Sequence, residues 1–248
     1  MIINLGNIVF GGKGNGGGAP AAYVVPDGMN FAYSTLTEFP SEGLDFSQKT
    51  NFDHCWYWCS FTSFPALNLS SGTNFYEAWG GCKALTSFPL INTANGTDFG
   101  YAWADCTGLT EFPLLDLSNG TSFNGSWQGC SSLTEFPALD LSRGTSFGMA
   151  WMSCPSLTTM GQLDLSKGSS FYNAWYNCPA LTNLGGFGAI KQSFSLSAST
   201  KLTVESIMNV ITQAATVTGK TMTLGSTNLA KLTDEQKAIA TNKGWTLA

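Results

Sequence analysis

A phenylalanine recurs every 24 residues, at Phe75, Phe99, Phe123, Phe147 and Phe171, and Phe52 stands one residue short of that register. Trp79, Trp103, Trp127, Trp151 and Trp175 follow four residues after each, and Cys82, Cys106, Cys130, Cys154 and Cys178 three residues later; Trp56 and Cys59 begin both series. A fixed period in this range means that one unit cannot bury its apolar face alone and must stack on its neighbours. The object to be explained is therefore a single coil.

Within a coil, Phe99, Ala102, Trp103 and Cys106 fall at i, i+3, i+4 and i+7. That spacing predicts the buried stripe of a short helix. A leucine follows (Leu85, Leu109, Leu133, Leu157, Leu181), then usually Thr-x-Phe-Pro, whose proline ends local regularity. Leu115-Asp116-Leu117 and Leu139-Asp140-Leu141 alternate as a strand does, leucine inward and aspartate outward. Gly72, Gly96, Gly120, Gly144 and Gly168 are expected to supply a tight turn that closes each coil. Both ends of the array decay: Leu36-Thr37-Glu38-Phe39-Pro40 has no matching Trp or Cys, and Met160-Gly161 and Leu184-Gly185 replace Phe-Pro.

Cys130-Ser131-Ser132-Leu133-Thr134 followed by Leu139-Asp140-Leu141-Ser142 resembles the BspA-type leucine-rich repeats, whose units read Phe-x-x-Cys-x-x-Leu-Thr and then Leu-Asp-(Thr/Ser)-Ser. The likeness runs through residues 30–190 and departs from the family in placing a tryptophan at the centre of each predicted helix. It implies an α/β repeat solenoid, a parallel stack of about seven 24-residue leucine-rich-repeat-like coils. Such repeats serve binding or surface display in bacteria and in their phages and imply no catalysis. Residues 201–248 also look like a tail found after such repeats in phage structural proteins. The resemblance thus points to a virion component, a tail-fibre or receptor-binding subunit, oligomeric and by analogy trimeric. A bacterial surface adhesin and a capsid decoration protein are the alternatives.

Three regions follow. Residues 1–28 comprise an apolar strand-like run (2–10) and a glycine-rich lead (11–18), expected to anchor the chain to other virion proteins. No basic stretch precedes a sustained apolar core there, so the run does not read as a signal peptide. Residues 29–192 form the solenoid. Residues 193–248 read as a small α/β cap, with a helix at 202–211, a strand at 220–224, a helix at 233–242 opened by a Thr233-x-x-Gln236 capping box, and a closing strand Trp245-Thr246-Leu247. Residues 1–190 carry 5 basic and 13 acidic side chains, against 6 and 3 in residues 191–248.

Six of the seven cysteines occupy one position of successive coils, so their side chains run parallel, whereas a disulfide needs convergent Cβ vectors. Free buried thiols are expected, as in a reducing assembly compartment. His54, Cys55 and Cys59 offer metal-ligand types close together, but it is the only histidine and each cysteine has a place in the core. Thr218-Gly219-Lys220-Thr221 ends like a phosphate loop, yet Ala214 stands where its first glycine is required. No cofactor, metal, nucleic acid or membrane insertion is expected, and a net charge of −5 disfavours nucleic acid. Asp116, Asp140 and Asp164 form an outward column, continued by Asn68 and Asn92, for which cations, hydrogen bonds to Ser and Thr, and solvation are the readings.

Outward positions carry Tyr57, Trp58, Tyr76, Tyr101, Met149, Met152, Tyr172 and Tyr176 among glycines, in a chain only 11% charged against about 25% in ordinary globular domains. Exposed aromatic patches mark interaction surfaces. The six aromatic residues are the candidate binding surface, for a host-surface glycan or protein or a neighbouring subunit, with Glu77 and Asp105 beside them.

Overall fold

A computed structural model describes residues 22–248. The strand-like run and glycine-rich lead of the expected anchoring arm lie outside the described residues. At the start, β1 (Tyr23–Val24) pairs in parallel with β2 (Leu44–Asp45). Lys49 is buried beneath this end and donates to the carbonyls of Pro26, Asp27 and Met29 at 2.8–3.1 Å.

The Phe-to-Cys stripe is buried as expected, but it is not a helix. Among the described residues the first helix begins only at Val204. In the coil that starts at Phe75, the N–H groups of Ala78, Gly80 and Cys82 bond the carbonyls of Phe75, Glu77 and Trp79, each three residues back. The N–H groups between them, from Phe75, Glu77, Trp79 and Gly81, cross to the carbonyls of Asp98, Gly100, Ala102 and Ala104 in the next coil at 2.7–2.8 Å. An α-helix keeps its N–H groups for itself, and so could not tie coil to coil. The chain of turns divides its donors between the two tasks. Every fourth residue is left-handed: Glu77 and Gly81, Tyr101 and Asp105, Gly125 and Gly129, Met149 and Ser153.

Because consecutive turns repeat every four residues, Phe and Trp of one coil face the same way. Successive phenylalanines from Phe52 to Phe171 stack at 5.1–5.7 Å between centroids. Successive tryptophans from Trp56 to Trp175 stack at 5.3–5.8 Å. A third column, Phe64, Phe88, Phe112 and Phe136, stands edge-on to the indoles at 4.7–4.9 Å, the perpendicular geometry that ring quadrupoles favour. Five of the cysteine thiols donate in series to a carbonyl of the preceding coil: Cys82 to Trp56, Cys106 to Trp79, Cys130 to Trp103, Cys154 to Trp127 and Cys178 to Trp151, at 3.0–3.2 Å.

The Leu-Asp-Leu segment keeps its inward leucines but is not a strand. The Leu115 N–H turns back to the Pro113 carbonyl, and Asp116 accepts from the Ser118 N–H. Pairing between coils falls instead just before each Phe, through Asn51, Asn74, Asp98, Ser122, Ser146 and Ser170, and in the Thr-x-Phe segment, where Glu111 pairs with Glu135. Proline explains why the second ladder stays short, since it has no N–H to donate. Where glycine replaces it, Gly161 and Gly185 donate to the carbonyls of Phe136 and Met160. There the parallel sheet β3 (Glu135–Phe136), β4 (Thr159–Met160) and β5 (Asn183–Leu184) forms.

The coil-closing glycines also have a different cause from the one expected. Gly72, Gly96, Gly120, Gly144 and Gly168 are not among the left-handed residues. Instead, a Cβ on Gly120 would fall onto the Phe123 ring, three residues on, and the other four meet their own phenylalanines in the same way. The Phe123 ring is held between Phe99 and Phe147 and cannot yield. Gly120→Ala is accordingly expected to destabilise the protein by about 1–3 kcal/mol, the range for overpacking a tight core, in urea titrations. An unchanged midpoint would contradict this packing.

After the last coil, β6 (Phe194–Ser195), β7 (Lys220–Thr223) and β8 (Trp245–Leu247) make a second parallel sheet. Around it lie α1 (Val204–Gln213), α2 (Ser226–Leu229) and α3 (Asp234–Asn242). Thr203 caps α1 and pushes its start two residues past the expected boundary, and Thr233 with Gln236 makes both bonds of the capping box. The short α2 has no counterpart in the sequence reading. Core aromatics continue into this region: Phe187 stacks on Trp175 at 4.5 Å, and Phe194 bridges Trp175 to Trp245.

Candidate functional site

Outward side chains in the turn segments lie along the stack, each over the equivalent position of the next coil. A Cβ on Gly80 would meet the Tyr57 ring, one on Gly81 the Trp58 indole, one on Gly100 the Tyr76 ring, one on Gly125 the Tyr101 ring, and one on Gly129 the Asp105 carboxylate. The aromatics therefore do not project as a free patch. Tyr57, Tyr76 and Tyr101 are half-buried on these glycine seats, while Trp58 remains 43% exposed. A row of edge-to-face or tilted contacts joins them, from Tyr33 to Tyr57 (5.8 Å), His54 (5.0 Å from Tyr57), Tyr76 (5.8 Å from His54) and Tyr101 (6.0 Å from Tyr76).

Three of the six candidate aromatics come together in a groove of about 130 Å³. Tyr57, Trp58 and Tyr101 wall it, Gly80, Gly81 and Ala104 line it, and Glu77, Asp105 and Gln128 supply its polar atoms. Tyr76 sits behind the groove against Tyr101. Tyr172 and Tyr176, at 69% and 60% exposure, belong to the last coil and are not part of it.

The polar groups of the groove differ in how far they are already engaged. Glu77 accepts from His54 Nε2 at 3.0 Å, and the other ring nitrogen of His54 faces Asp53 at 2.6 Å. Burial, and then the hydrogen bond to Glu77, push the Tyr76 hydroxyl up to about 12. Tyr101 accepts from Asn124 Nδ2 at 2.9 Å. Gln128 Oε1 is buried and has no partner among the described residues. Lys83 Nζ stands 4.3 Å from the centre of the Trp58 ring. Trp58, Glu77, Tyr101 and Asp105 all occupy left-handed backbone, at φ 50–55°. Such a conformation costs a non-glycine residue about 1–2 kcal/mol, and it belongs to the repeated turns, since His54, Met149, Ser153, Asn173 and Asn177 elsewhere in the stack share it.

The other sites considered from sequence resolve differently. Asp116, Asp140 and Asp164 each accept the N–H of the serine two residues on, as Asn68 and Asn92 accept theirs from Ser70 and Ala94. The column is a repeated side-chain turn, which explains why Asp and Asn interchange in it. Among the described residues no three His, Cys, Asp or Glu side chains cluster to hold a metal, and no helix is long and apolar enough to cross a membrane. All seven cysteines are free and buried.

Sequence reasoning missed the groove's floor and its amide. Gly80, Gly81 and Gly125 stand 23 or 24 residues after the ring each one seats, and only a coil-to-coil alignment of large against absent side chains makes them visible. No family model, curated protein or solved structure matches this chain.

Proposed function

We propose that the chain is a non-enzymatic binding rod: a phage virion structural protein, a tail-fibre or receptor-binding subunit, that presents a leucine-rich-repeat-like solenoid for attachment to a host-surface glycan or protein. The observation that carries the binding role is the groove itself. Four successive coils contribute to it, its aromatic walls rest on glycine seats, and His54 holds the Glu77 carboxylate in place. Side chains held in this way lose little freedom when a ligand arrives, which is what preorganisation contributes to affinity. The virion setting rests on the repeat resemblance. In this reading the part of the expected arm that precedes β1 joins the rod to other virion proteins, since residues 23–28 of it belong to the folded end, and the rod is a homo-oligomer, taken as a trimer.

The test is to detect the chain by mass spectrometry in purified particles and to place it with an antibody under the electron microscope. Labelling of tail fibres is the expected result. Labelling of the capsid would make it a decoration protein, and labelling of bacterial surfaces without particles would make it an adhesin; either outcome overturns the tail-fibre reading.

A further inference from the structure

The polar inventory of the groove is lopsided. Asp105 presents a carboxylate with no hydrogen-bond partner shown among the described residues, Gln128 presents a buried carbonyl oxygen without a donor, and Glu77 adds a second carboxylate held in place by His54 and Tyr76. Its walls are the rings of Tyr57, Trp58 and Tyr101, and an ammonium group, that of Lys83, already stands over the Trp58 indole. Apart from His54 at Glu77 and Lys83 at the Trp58 ring, the groove offers acceptors and π-faces, which suit a ligand that is cationic and only donates.

Size narrows the class. A volume of about 130 Å³ falls below the 300–1,000 Å³ of sites that enclose a whole drug-sized ligand, so the groove suits the head of a side chain. Moreover, one face of the Tyr101 ring rests on Gly125 and its neighbour Tyr76 meets it at 76°, which leaves little open platform for a sugar. Among cations, a guanidinium is planar, donates five hydrogen bonds in a fixed fork and stacks on aromatic rings, whereas an ammonium is a compact point charge.

We infer that the groove between Trp58 and Asp105 receives an arginine side chain of a protein partner. Its guanidinium pairs with Asp105 and Gln128 Oε1 and takes the place of the Lys83 ammonium over the exposed Trp58 indole. The excess of acid over base in residues 1–190, 13 against 5, favours the approach of such a partner. The inference rests on the reading of this face as a binding surface and replaces its glycan option with a protein-borne cation.

The experiment is a titration of the whole protein with the tripeptide Gly-Arg-Gly, followed through the Trp58 indole N–H resonance and assigned with Trp58→Phe. Gly-Lys-Gly, the neutral isostere Gly-citrulline-Gly and glucosamine serve as comparisons. A saturable shift with a Kd of about 1 mM or tighter is expected for the arginine peptide, weakened about tenfold by Asp105→Asn, the loss of one charge-assisted bond. Asparagine tolerates left-handed backbone, so that variant should keep the parent's melting temperature, and Gln128→Leu offers a second test if it does not. Absence of a saturable shift, equal binding of the citrulline peptide, or binding of glucosamine alone would overturn the assignment. Arginine binding by a chain absent from virions would sink the virion reading and leave this one standing, and the converse result would do the opposite.

Discussion

Trp127→Ala is expected to destabilise the protein by about 3–5 kcal/mol, the range for deleting a large buried aromatic. The indole is fully buried and lies between Trp103 at 5.8 Å and Trp151 at 5.5 Å, with Phe136 edge-on at 4.7 Å. Truncation opens a gap in the middle of a column whose members cannot close up, because the backbone ladders fix the distance between coils. Against a total stability of about 5–15 kcal/mol this is a large fraction. Trp127→Phe should behave differently. The Nε1 groups of Trp56, Trp79, Trp103, Trp127, Trp151 and Trp175 are buried without partners among the described residues, and an orphaned donor costs about 1–3 kcal/mol. Phenylalanine gives up area but also removes that penalty, so its net cost is expected to be about 1 kcal/mol or less. Urea titrations of both variants decide the matter. An alanine variant as stable as the parent would contradict the column, and a phenylalanine variant as damaged as the alanine one would mean that the indole N–H is satisfied.

The second large effect is alkaline collapse. Burial pushes the Cys106 thiol up to about 12 and that of Cys178 up to about 11, and it raises Cys55, Cys130 and Cys154 as well; Cys82 is raised by its neighbour Cys59 and by burial. In the unfolded chain these thiols ionise near the ordinary 9.0. A folded-state pKa above the unfolded one gives stability that is fully present below pH 9.0 and is lost as pH rises toward the folded values. Each thiol with a raised folded-state pKa contributes about 1.4 kcal/mol per pH unit in that window, so several together are a large part of the whole stability. Unfolding free energy should therefore hold steady up to pH 8 and fall steeply between about pH 9 and 11, while thiol reagents stay unreactive until the chain unfolds. Cys106→Ala with Cys130→Ala should reduce the slope by two protons. A flat profile across this range would show that the thiols are not buried together.

The period announced the ring columns because translation by one coil needs no knowledge of the coil's own conformation. That conformation was harder to read, since i, i+3, i+4 and i+7 is the signature both of a helix and of paired turns that repeat every four residues. The distinguishing mark was present at Gly81, Gly125, Gly129, Asn173 and Asn177. Glycine and asparagine at four-residue spacing suit left-handed positions and weaken a helix. The strand was sought in Leu-Asp-Leu, where the alternation is clear, but strands are built by N–H groups that cross to a neighbour, and the segment keeps its own for local turns. Much of the cap was legible because the capping box at Thr233 and Gln236 marks the start of α3, whereas α1 begins two residues later than expected, after its Thr203 cap, and β6 and α2 were not foreseen. For the groove, the rings and acids could be picked out one coil at a time, whereas the depth comes from what the following coil lacks.

That last relation makes the outer face editable. A ring at one position requires a missing side chain one period later, so two residues 24 apart form the smallest unit that can be changed without collision. Tyr101 with Gly125 is one such unit; sliding it one coil on takes Tyr101→Gly together with Gly125→Tyr and Met149→Gly, since a Cβ at 125 would strike the Tyr101 ring and Met149 occupies the next left-handed site. Moved in pairs, a recognition surface could be slid along the stack or copied at a second height, with the spacing between copies set by the number of intervening coils.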